Sequence, residues 1–235
     1  MAVIRHEHAD TEALARALAE VIAAALRDAL AARGRALLSL AGGRTPLPAY
    51  RAVASMPFDW ARVTLMPGDD RCVPHFDAAS NVRELRALFA AADGVDIRPL
   101  TTADGDAEAS AVHAQAMLEP VRDEPFDLVV LGMGADAHTA SLFPNASQLA
   151  MALDPACGLE ALRVDPDPLP PEAPFPRVSL TIVRLLRARE VHLVATGEAK
   201  RDVLDAALVA PDAMKRPVAA VLHATGVPVH VHWSP

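Results

Sequence analysis

The sequence predicts an α/β protein in which a mostly parallel sheet carries helices on both faces, a doubly wound arrangement. Short apolar segments alternate with segments of helical periodicity, and this alternation favours parallel strands joined by crossover helices. Several apolar segments end in glycine or charged residues, as buried strands do where the backbone turns at the edge of a sheet. A length of 235 residues fits one large domain, so we predict a single domain over residues 1–235.

The predicted elements follow from caps and periodicity. Asp10 precedes apolar residues at helical spacing and Gly34 follows them, which predicts a helix capped at both ends. Ser80 and Asn81 open another helix, with Glu84 as a capping-box partner. The remaining predicted elements are strands at Ala36–Leu40, Val63–Met66, Leu128–Leu131, Val191–Ala195 and Val227–Trp233, helices at Asp104–Leu118, Ile182–Arg187 and Pro217–His223, structure at Arg177–Thr181, and a proline-rich surface segment, a linker or a lid, at Arg163–Pro176.

A glycine pair follows the first of these strands. Gly42 and Gly43 are succeeded by Arg44, Thr45 and Pro46, and proline suits the first turn of a helix. The two glycines would then place free backbone N–H groups at a helix N-terminus, where anions bind. We therefore interpret this segment as a phosphate loop, although an ordinary strand-to-helix turn fits the pattern equally well.

Charged residues follow two other strands. Asp69, Asp70 and Arg71 come after the second strand, and Lys200 lies within one helical turn of the strand that Gly197 ends. Because the carboxyl ends of parallel strands meet at one rim, Arg71 and Lys200 are predicted to reach the same crevice. A guanidinium and an ammonium there suit a phosphate or a carboxylate, whereas on an ordinary surface such charges are only solvated.

The most informative segment is Phe126–Pro144, FDLVVLGMGADAHTASLFP. Its apolar strand stops at a glycine, and Asp136 and His138 follow two residues apart. A histidine in a loop at the carboxyl end of a strand is placed to act as a base near neutral pH. The alternative is a histidine that only caps or packs.

Composition restricts the possible partners. The formal net charge is −8, and the sequence has neither a basic run nor an aromatic stacking cluster, which argues against nucleic acid and anionic membrane surfaces. Cys72 and Cys157, in a chain with no signal peptide, predict a reducing cytoplasm and no disulfide framework. An activated Cys72 thiol is a minor alternative.

Two competing patterns are weak. Gly132, Gly134 and Ala137 match a dinucleotide fingerprint, but Pro144 stops the helix that should carry the pyrophosphate. His6 with His8, and His230 with His232, each place two imidazoles on one strand face. These pairs lie at the chain ends and no third ligand is suggested, so the sequence does not predict a metal site.

Taken together, five motifs resemble those of 6-phosphogluconolactonases in order and spacing: AGGRTP, GDDRCVPHFDAASN, LGMGADAHTASLFP, RVSLT and GEAK. The resemblance covers nearly the whole chain, and HTASLFP is its most specific part. It implies a modified Rossmann-type fold related to glucosamine-6-phosphate deaminases. It also implies hydrolysis of 6-phosphogluconolactone in the oxidative pentose phosphate pathway, without metal or cofactor.

The resemblance also implies residue roles. His138 would be the general base for attack of water on the lactone carbonyl, with Asp136 orienting it. The residues implied to hold the substrate and its phosphate are Gly42, Gly43, Arg44, Thr45, Asp69, Arg71, Arg177 and Lys200. Arg44 and Ala137 depart from the family pattern, and Ala137 would strain the loop if its φ were positive, because glycine is usual there. We expect a monomer or weak homodimer.

Two other functions share these motifs. An amino-sugar phosphate deaminase or isomerase would carry the same glycine loops and the D-x-H segment, but Arg71 and the SLFP segment favour the lactonase. A non-catalytic sugar-phosphate sensor of this fold normally carries a DNA-binding helix-turn-helix, for which this chain has no room.

Overall fold

Seven strands form one sheet in which every neighbouring pair is parallel. The computed structural model describes residues 3–235. The strand order is β1-β10-β9-β6-β2-β3-β5. These strands are β1 (Ile4–Glu7), β2 (Ala36–Leu40), β3 (Val63–Pro67), β5 (Asp96–Ile97), β6 (Leu128–Gly132), β9 (Val191–Thr196) and β10 (Val229–Ser234). The predicted parallel sheet is confirmed.

Eight helices accompany the described strands and cover both faces of the sheet. Helices α1–α3 pack on one face, and α4–α8 pack on the other. None of the helices in residues 3–235 combines the length and apolar character needed to cross a bilayer. The helices are α1 (Thr11–Arg33), α2 (Leu47–Ala54), α3 (Asn81–Leu88), α4 (Ala107–Leu118), α5 (Leu149–Leu153), α6 (Ile182–Leu186), α7 (Glu198–Val209) and α8 (Val218–Leu222).

The central strands are apolar on both sides because both of their faces are covered. In β6, Leu128 and Val130 point into the cluster under α1, whereas Val129 and Leu131 point into the cluster on the opposite face. All four side chains are fully buried. A continuous apolar segment is therefore what a strand between two helical layers requires.

Three short strands form a small antiparallel sheet that the sequence did not predict. The segment Asp69–Arg71, predicted as charged residues at a strand end, is strand β4 and pairs with β8 (Arg177–Leu180). Strand β7 (Ala161–Val164) completes this sheet, so the first two residues of the predicted proline-rich segment are extended and paired. Strand β4 pairs with residues more than 100 positions away in sequence. Local sequence patterns do not reveal such a pairing.

Most helix ends agree with the predicted caps. Asp10 accepts a hydrogen bond from the Ala13 N–H at 2.7 Å, and Gly34 ends α1 in the left-handed conformation. The capping-box interpretation of Glu84 is wrong. Ser80 is the N-cap and its hydroxyl accepts from the Arg83 N–H, so the third helical position is Arg83 rather than an acidic residue.

Candidate active site

One cavity, with a volume of about 240 Å³, lies at the carboxyl ends of the central strands. The loops after β2, β6 and β9 meet there with strand β4, as the rule for open α/β sheets predicts. Every predicted site residue except Asp136 and Arg177 lines this cavity. The lining residues are Ala41, Gly42, Gly43, Arg44, Thr45, Pro46, Asp69, Arg71, Asn81, Gly132, Met133, Gly134, His138, Ala140, Val194 and Lys200.

The glycine pair forms one wall of the cavity. Helix α2 begins at Leu47, several residues after the glycines, so residues 42–46 form an open turn rather than the first helical turn. Within residues 3–235, no hydrogen bond is donated by the backbone N–H groups of Gly42, Gly43 or Arg44. Consecutive free N–H groups that line a cavity bind anions well, so the geometry supports the phosphate loop that the sequence indicates.

Gly42 is required here by close packing. A Cβ at this position would lie 2.2 Å from Oδ1 of the Asn81 side chain, far inside van der Waals contact. Asn81 is buried and is held on both sides, since its amide donates to the Asp69 carbonyl at 2.7 Å and its oxygen accepts from Arg71 at 3.0 Å. The glycine thus lets the phosphate loop approach a fixed amide, and any larger residue would displace one of them.

Arg71 is oriented from behind the cavity. Its Nη1 donates to the Ala79 carbonyl at 2.8 Å and to Asn81. These acceptors are neutral, and no salt bridge joins Arg71 to a carboxylate in residues 3–235. The guanidinium therefore keeps its positive charge available to a ligand in the cavity.

Lys200 and Arg44 add two further cations. Burial lowers the pKa of the Lys200 ammonium, and the nearby Arg44 charge lowers it further, while Asp136 opposes them. A depressed pKa of this origin indicates cations that lack sufficient counter-charge, which an anionic ligand would supply. The cavity is thus locally basic within a chain whose net charge is −8.

His138, which lines the cavity, forms a hydrogen-bonded pair with Asp136, which does not. His138 Nδ1 lies 2.6 Å from Asp136 Oδ1, and the His138 backbone N–H donates to the same oxygen at 3.2 Å. Burial alone would raise the pKa of the Asp136 carboxyl, but the hydrogen bond and charge interaction with His138 outweigh it and hold the pKa below its usual value. An ionised Asp136 accepts the Nδ1–H, and the Nε2 lone pair of His138 is left free.

The backbone of this loop is tightly constrained. A Cβ on Gly134 would lie 2.2 Å from His138 Nδ1 and 2.4 Å from Asp136 Oδ1, so only glycine fits beneath the pair. Ala137 and Ala140, on either side of His138, have positive φ values of 66° and 46°. The strain that the sequence predicts for a positive φ at Ala137 is therefore present, and such strain is typical of functional loops.

The ring of His138 is also fixed by packing. It stacks on Phe143 with 4.2 Å between ring centroids and 28° between planes. Thr139, which follows it, donates from Oγ1 to the Gly132 carbonyl at 2.9 Å and ties the loop back to the end of β6. After β6 ends at Gly132, the next helix begins only at Leu149, so the pyrophosphate-binding helix of a dinucleotide site does not follow this strand.

Arg177 does not line the cavity. It lies in β8 with 2% of its surface exposed, and its Nη2 donates to the Ala173 carbonyl at 2.8 Å. Burial lowers its pKa to about 10. Its guanidinium lies 5.9 Å from the Phe143 ring centroid, behind the ring that supports His138. The structure therefore gives no support to direct phosphate binding by Arg177.

Cys72 is not an activated thiol. Burial raises its pKa to about 11, so the protonated form dominates at neutral pH and thiolate chemistry is unavailable.

The proline-rich segment borders a second cavity of about 470 Å³ on the other side of His138. Residues 167–172 form one wall, and the loop that carries Asp136 and His138 forms the other. The segment lies beside the candidate site and does not link two bodies of the protein. Of the two predicted roles, the position favours a lid over a linker.

Two residues of the site were not predicted. The sequence indicates Asn81 only as part of a helix start, and it assigns no individual role to Ser141. Ser141 donates from Oγ to the Asp69 carboxylate and joins the histidine loop to strand β4. Both residues lie within the motifs GDDRCVPHFDAASN and HTASLFP, but their partners are distant in sequence and only the fold identifies their contacts.

Comparisons with known proteins find similar sequences and structures along nearly the whole chain. A profile of the family described as glucosamine-6-phosphate isomerases/6-phosphogluconolactonase matches residues 9–233. A 6-phosphogluconolactonase of Pseudomonas putida is 38% identical over 236 residues, covering 100% of this chain and 94% of that protein. One of Mesorhizobium japonicum is 40% identical, covering 96% of this chain and 93% of the relative. The crystal structure of a 6-phosphogluconolactonase from Shewanella baltica superimposes with a TM-score of 0.89 at 34% identity, covering 99% of this chain and 98% of that one.

Proposed function

Because the chain belongs to the family of glucosamine-6-phosphate isomerases and 6-phosphogluconolactonases, we propose that it hydrolyses 6-phospho-D-glucono-1,5-lactone with His138 as the general base. The product is 6-phospho-D-gluconate, and the reaction belongs to the oxidative pentose phosphate pathway. The observation that carries the residue assignment is the 2.6 Å contact between His138 Nδ1 and Asp136, beside a cavity lined by three cations.

The phosphate of the substrate binds at the basic end of the cavity. The free N–H groups of Gly42 and Gly43, with Arg44, Arg71 and Lys200, offer hydrogen-bond donors and positive charge. Thr45 lies on the same wall. Asp69, held by Ser141, lies on the cavity wall as an acceptor for sugar hydroxyls. This arrangement directs the phosphate away from His138 and the lactone ring towards it.

Hydrolysis then follows from the tautomer that Asp136 fixes. Water attacks the lactone carbonyl carbon while Nε2 of His138 takes one proton from it, and the carbonyl π electrons move to the oxygen. When the tetrahedral intermediate collapses, the bond to the ring oxygen breaks and that oxygen takes the proton from the imidazolium. Ionised Asp136 stabilises the imidazolium between the two steps and does not itself need to accept a proton.

Substitution of His138 by Asn tests the assignment. Asn keeps a hydrogen-bonding side chain but lacks the titratable nitrogen, so kcat should fall by roughly 10² to 10⁴ with little change in KM. Acid release from freshly prepared lactone measures the rate, after correction for spontaneous opening.

The matched control is His113→Asn, because His113 is half-buried on α4 and bonds the Pro99 carbonyl, outside the cavity. It should keep the wild-type rate. A folded His138→Asn protein with more than about a tenth of wild-type activity is too active for loss of a general base, and the base would then have to be Asp136 or a substrate-bound water.

A second assay, of ammonia release, separates this function from an amino-sugar phosphate deaminase. A lactonase should release no ammonia from glucosamine 6-phosphate. Rapid release of ammonia would contradict the proposal and would indicate an amino-sugar phosphate deaminase or isomerase instead. A cytoplasmic location and a monomer or weak homodimer belong to the same proposal. Light scattering coupled to gel filtration tests the oligomeric state.

A further inference from the structure

Five histidines gather on one face of the sheet, at the edge formed by β1, β10 and β9. The sequence suggests two pairs, His6 with His8 and His230 with His232, and the strand register adds His192 from β9. Residue 230 pairs with residue 192 across one ladder and with Ile4 across the other, and His6 pairs with His232. We call these five residues the histidine cluster.

Hydrogen bonds join the cluster into an ordered set. Nε2 of His192 lies 3.1 Å from the Glu190 carboxylate, and its Nδ1 lies 3.0 Å from Nε2 of His232. Nδ1 of His232 in turn lies 3.1 Å from Nε2 of His8. In a separate pair, His230 Nδ1 lies 3.0 Å from His6 Nε2. Three ring nitrogens of the cluster have no hydrogen-bond partner in residues 3–235, and these are Nε2 of His230, Nδ1 of His6 and Nδ1 of His8.

Burial lowers the pKa of four of the five imidazoles, those of His6, His8, His230 and His232. Burial lowers the pKa of His232 to about 3, and the other imidazoles contribute to the shift. The pKa of His230 is also lowered, first by burial and then by His192. Glu190 carries the opposite perturbation, because its hydrogen bond with His192 lowers the pKa of the carboxyl. Neutral imidazoles beside an ionised carboxylate are the protonation states that bind a transition metal.

We propose that Glu190, His192 and His230 form a binding site for one Zn²⁺ ion. One ligand atom from each of the three residues lies within 4.8 Å of the others. A tetrahedral Zn²⁺ with bonds near 2.1 Å holds its ligands about 3.4 Å apart, so the ligand atoms must move by about an ångström. Glu190, with 47% of its side chain exposed, can make such a movement, whereas His192 at 2% is a fixed anchor. The rings of His192 and His230 are stacked, with 4.6 Å between centroids and 11° between planes, so His230 must also rotate to turn its Nε2 lone pair towards the ion.

The remaining ring nitrogens support this assignment. A metal-bound histidine normally donates its other N–H to a partner that fixes its orientation. His230 can donate from Nδ1 to His6, and His192 can donate from Nδ1 to His232. When zinc takes Nε2 of His192, the proton there moves to Nδ1, and the same shift repeats in His232 and His8. Each of these rings stays neutral, and the two hydrogen bonds along this series, His192–His232 and His232–His8, survive with their directions reversed.

The zinc site lies away from the lactone cavity. His192 is the second residue of β9, and four residues of extended strand, roughly 13 Å, separate it from Thr196 at the opposite end. The ion would join the amino ends of β9 and β10, near the sheet edge. Its expected effect is greater stability without a change in the rate of lactone hydrolysis.

Zinc binding to tag-free, chelator-treated protein tests the proposal. Equilibrium dialysis against ZnCl₂ at pH 7.5 should show one tightly bound ion per chain, and Co²⁺ should give the intense visible bands of a tetrahedral site. Glu190→Gln and His230→Gln change exposed or half-buried side chains, so both proteins should fold. Each should bind Zn²⁺ more than about 10-fold more weakly than wild type and lose the rise in Tm that zinc produces.

Two controls distinguish other sites on the chain. His113→Gln should bind like wild type, since this histidine lies outside the cluster. His138→Asn should also bind like wild type, which excludes the His138–Asp136 pair as the zinc ligands. The proposal is overturned if the two cluster variants bind as tightly as wild type, if binding is lost in His138→Asn instead, or if wild type binds no zinc at about 100 μM.

Discussion

Lys200 is the residue whose role the structure makes easiest to separate from chemistry. Its ammonium lies on the cavity wall near Arg44, at the end assigned to the phosphate. A phosphate remote from the carbonyl is held equally in the ground and transition states, so Lys200→Ala should raise KM and leave kcat nearly unchanged. Loss of a charged hydrogen bond predicts an increase in KM of roughly 10- to 100-fold.

Steady-state rates with 6-phosphogluconolactone measure this effect. The chain's other lysine, Lys215, is a matched control because its side chain is 79% exposed and does not line the cavity. An unchanged KM with a collapsed kcat in Lys200→Ala would instead assign Lys200 to the chemical step.

Ala137 tests how much strain the histidine loop stores. Its left-handed φ costs an alanine roughly 1–2 kcal/mol. Replacement by Gly removes this cost but frees the unfolded chain by about 0.4–1 kcal/mol and deletes a buried methyl worth about 0.8 kcal/mol. These effects offset one another, so the free energy of unfolding of Ala137→Gly should lie within about 1 kcal/mol of that of wild type.

Ala137→Val provides the contrasting case. A β-branched side chain at positive φ in a buried position should cost more than about 2 kcal/mol and also misorient His138, lowering kcat. Urea unfolding measures both variants. A Val variant as stable and active as wild type would show that the loop relaxes to a negative φ in solution.

At the scale of elements, Asp70 joins β4 to α3. Its buried carboxylate accepts from the backbone N–H groups of Arg71, Asn81 and Val82 at 2.6–3.0 Å and so orients two residues of the cavity. Burial raises its pKa to about 6, although these three donors oppose the shift. Burial therefore raises the pKa of Asp70 by more than the three hydrogen bonds lower it.

This pKa predicts a specific pH dependence. A carboxyl whose pKa is raised on folding binds protons more tightly in the native state, so its contribution is present below about pH 4 and lost as pH rises through about 6. We therefore compare the free energy of unfolding of wild type with that of Asp70→Asn. The difference, wild type minus variant, should fall by up to about 3 kcal/mol as pH rises from about 4 to about 6, at about 1.4 kcal/mol per pKa unit. Denaturant unfolding at several pH values measures it.

The matched control is Asp10→Asn, because Asp10 is an N-cap whose side chain is exposed. If the difference between wild type and Asp70→Asn instead grows as pH rises, the N–H donors outweigh burial and the native state prefers the carboxylate.

At the scale of the whole molecule, both sheets share one core. Val178 and Leu180 of the small sheet belong to the same buried cluster as Val129 and Leu131 of the large sheet. We therefore predict that the chain unfolds in a single cooperative transition, as expected for one domain over residues 1–235. Calorimetric and van't Hoff enthalpies should agree. Two resolved transitions would show that the small sheet and its neighbours unfold separately.

The sequence by itself determined the features that depend on neighbouring residues. The order and type of most elements follow from periodicity and caps, as Asp10 and Gly34 illustrate for α1. Loops at the carboxyl ends of parallel strands form one crevice. From this rule the sequence predicts a shared crevice for four residues that do line the same cavity: Gly42, Arg71, His138 and Lys200.

Only the tertiary structure decided what depends on distant partners. Arg177 follows a strand pattern like other site residues, but pairing of β8 with β4 buries it behind Phe143. The sequence suggests no third metal ligand for the histidines at the two chain ends. The strand order places β9 beside β10 and so brings His192 and Glu190 next to His230. Register between strands is set by packing across the whole sheet, and that information is not present in any local stretch of residues.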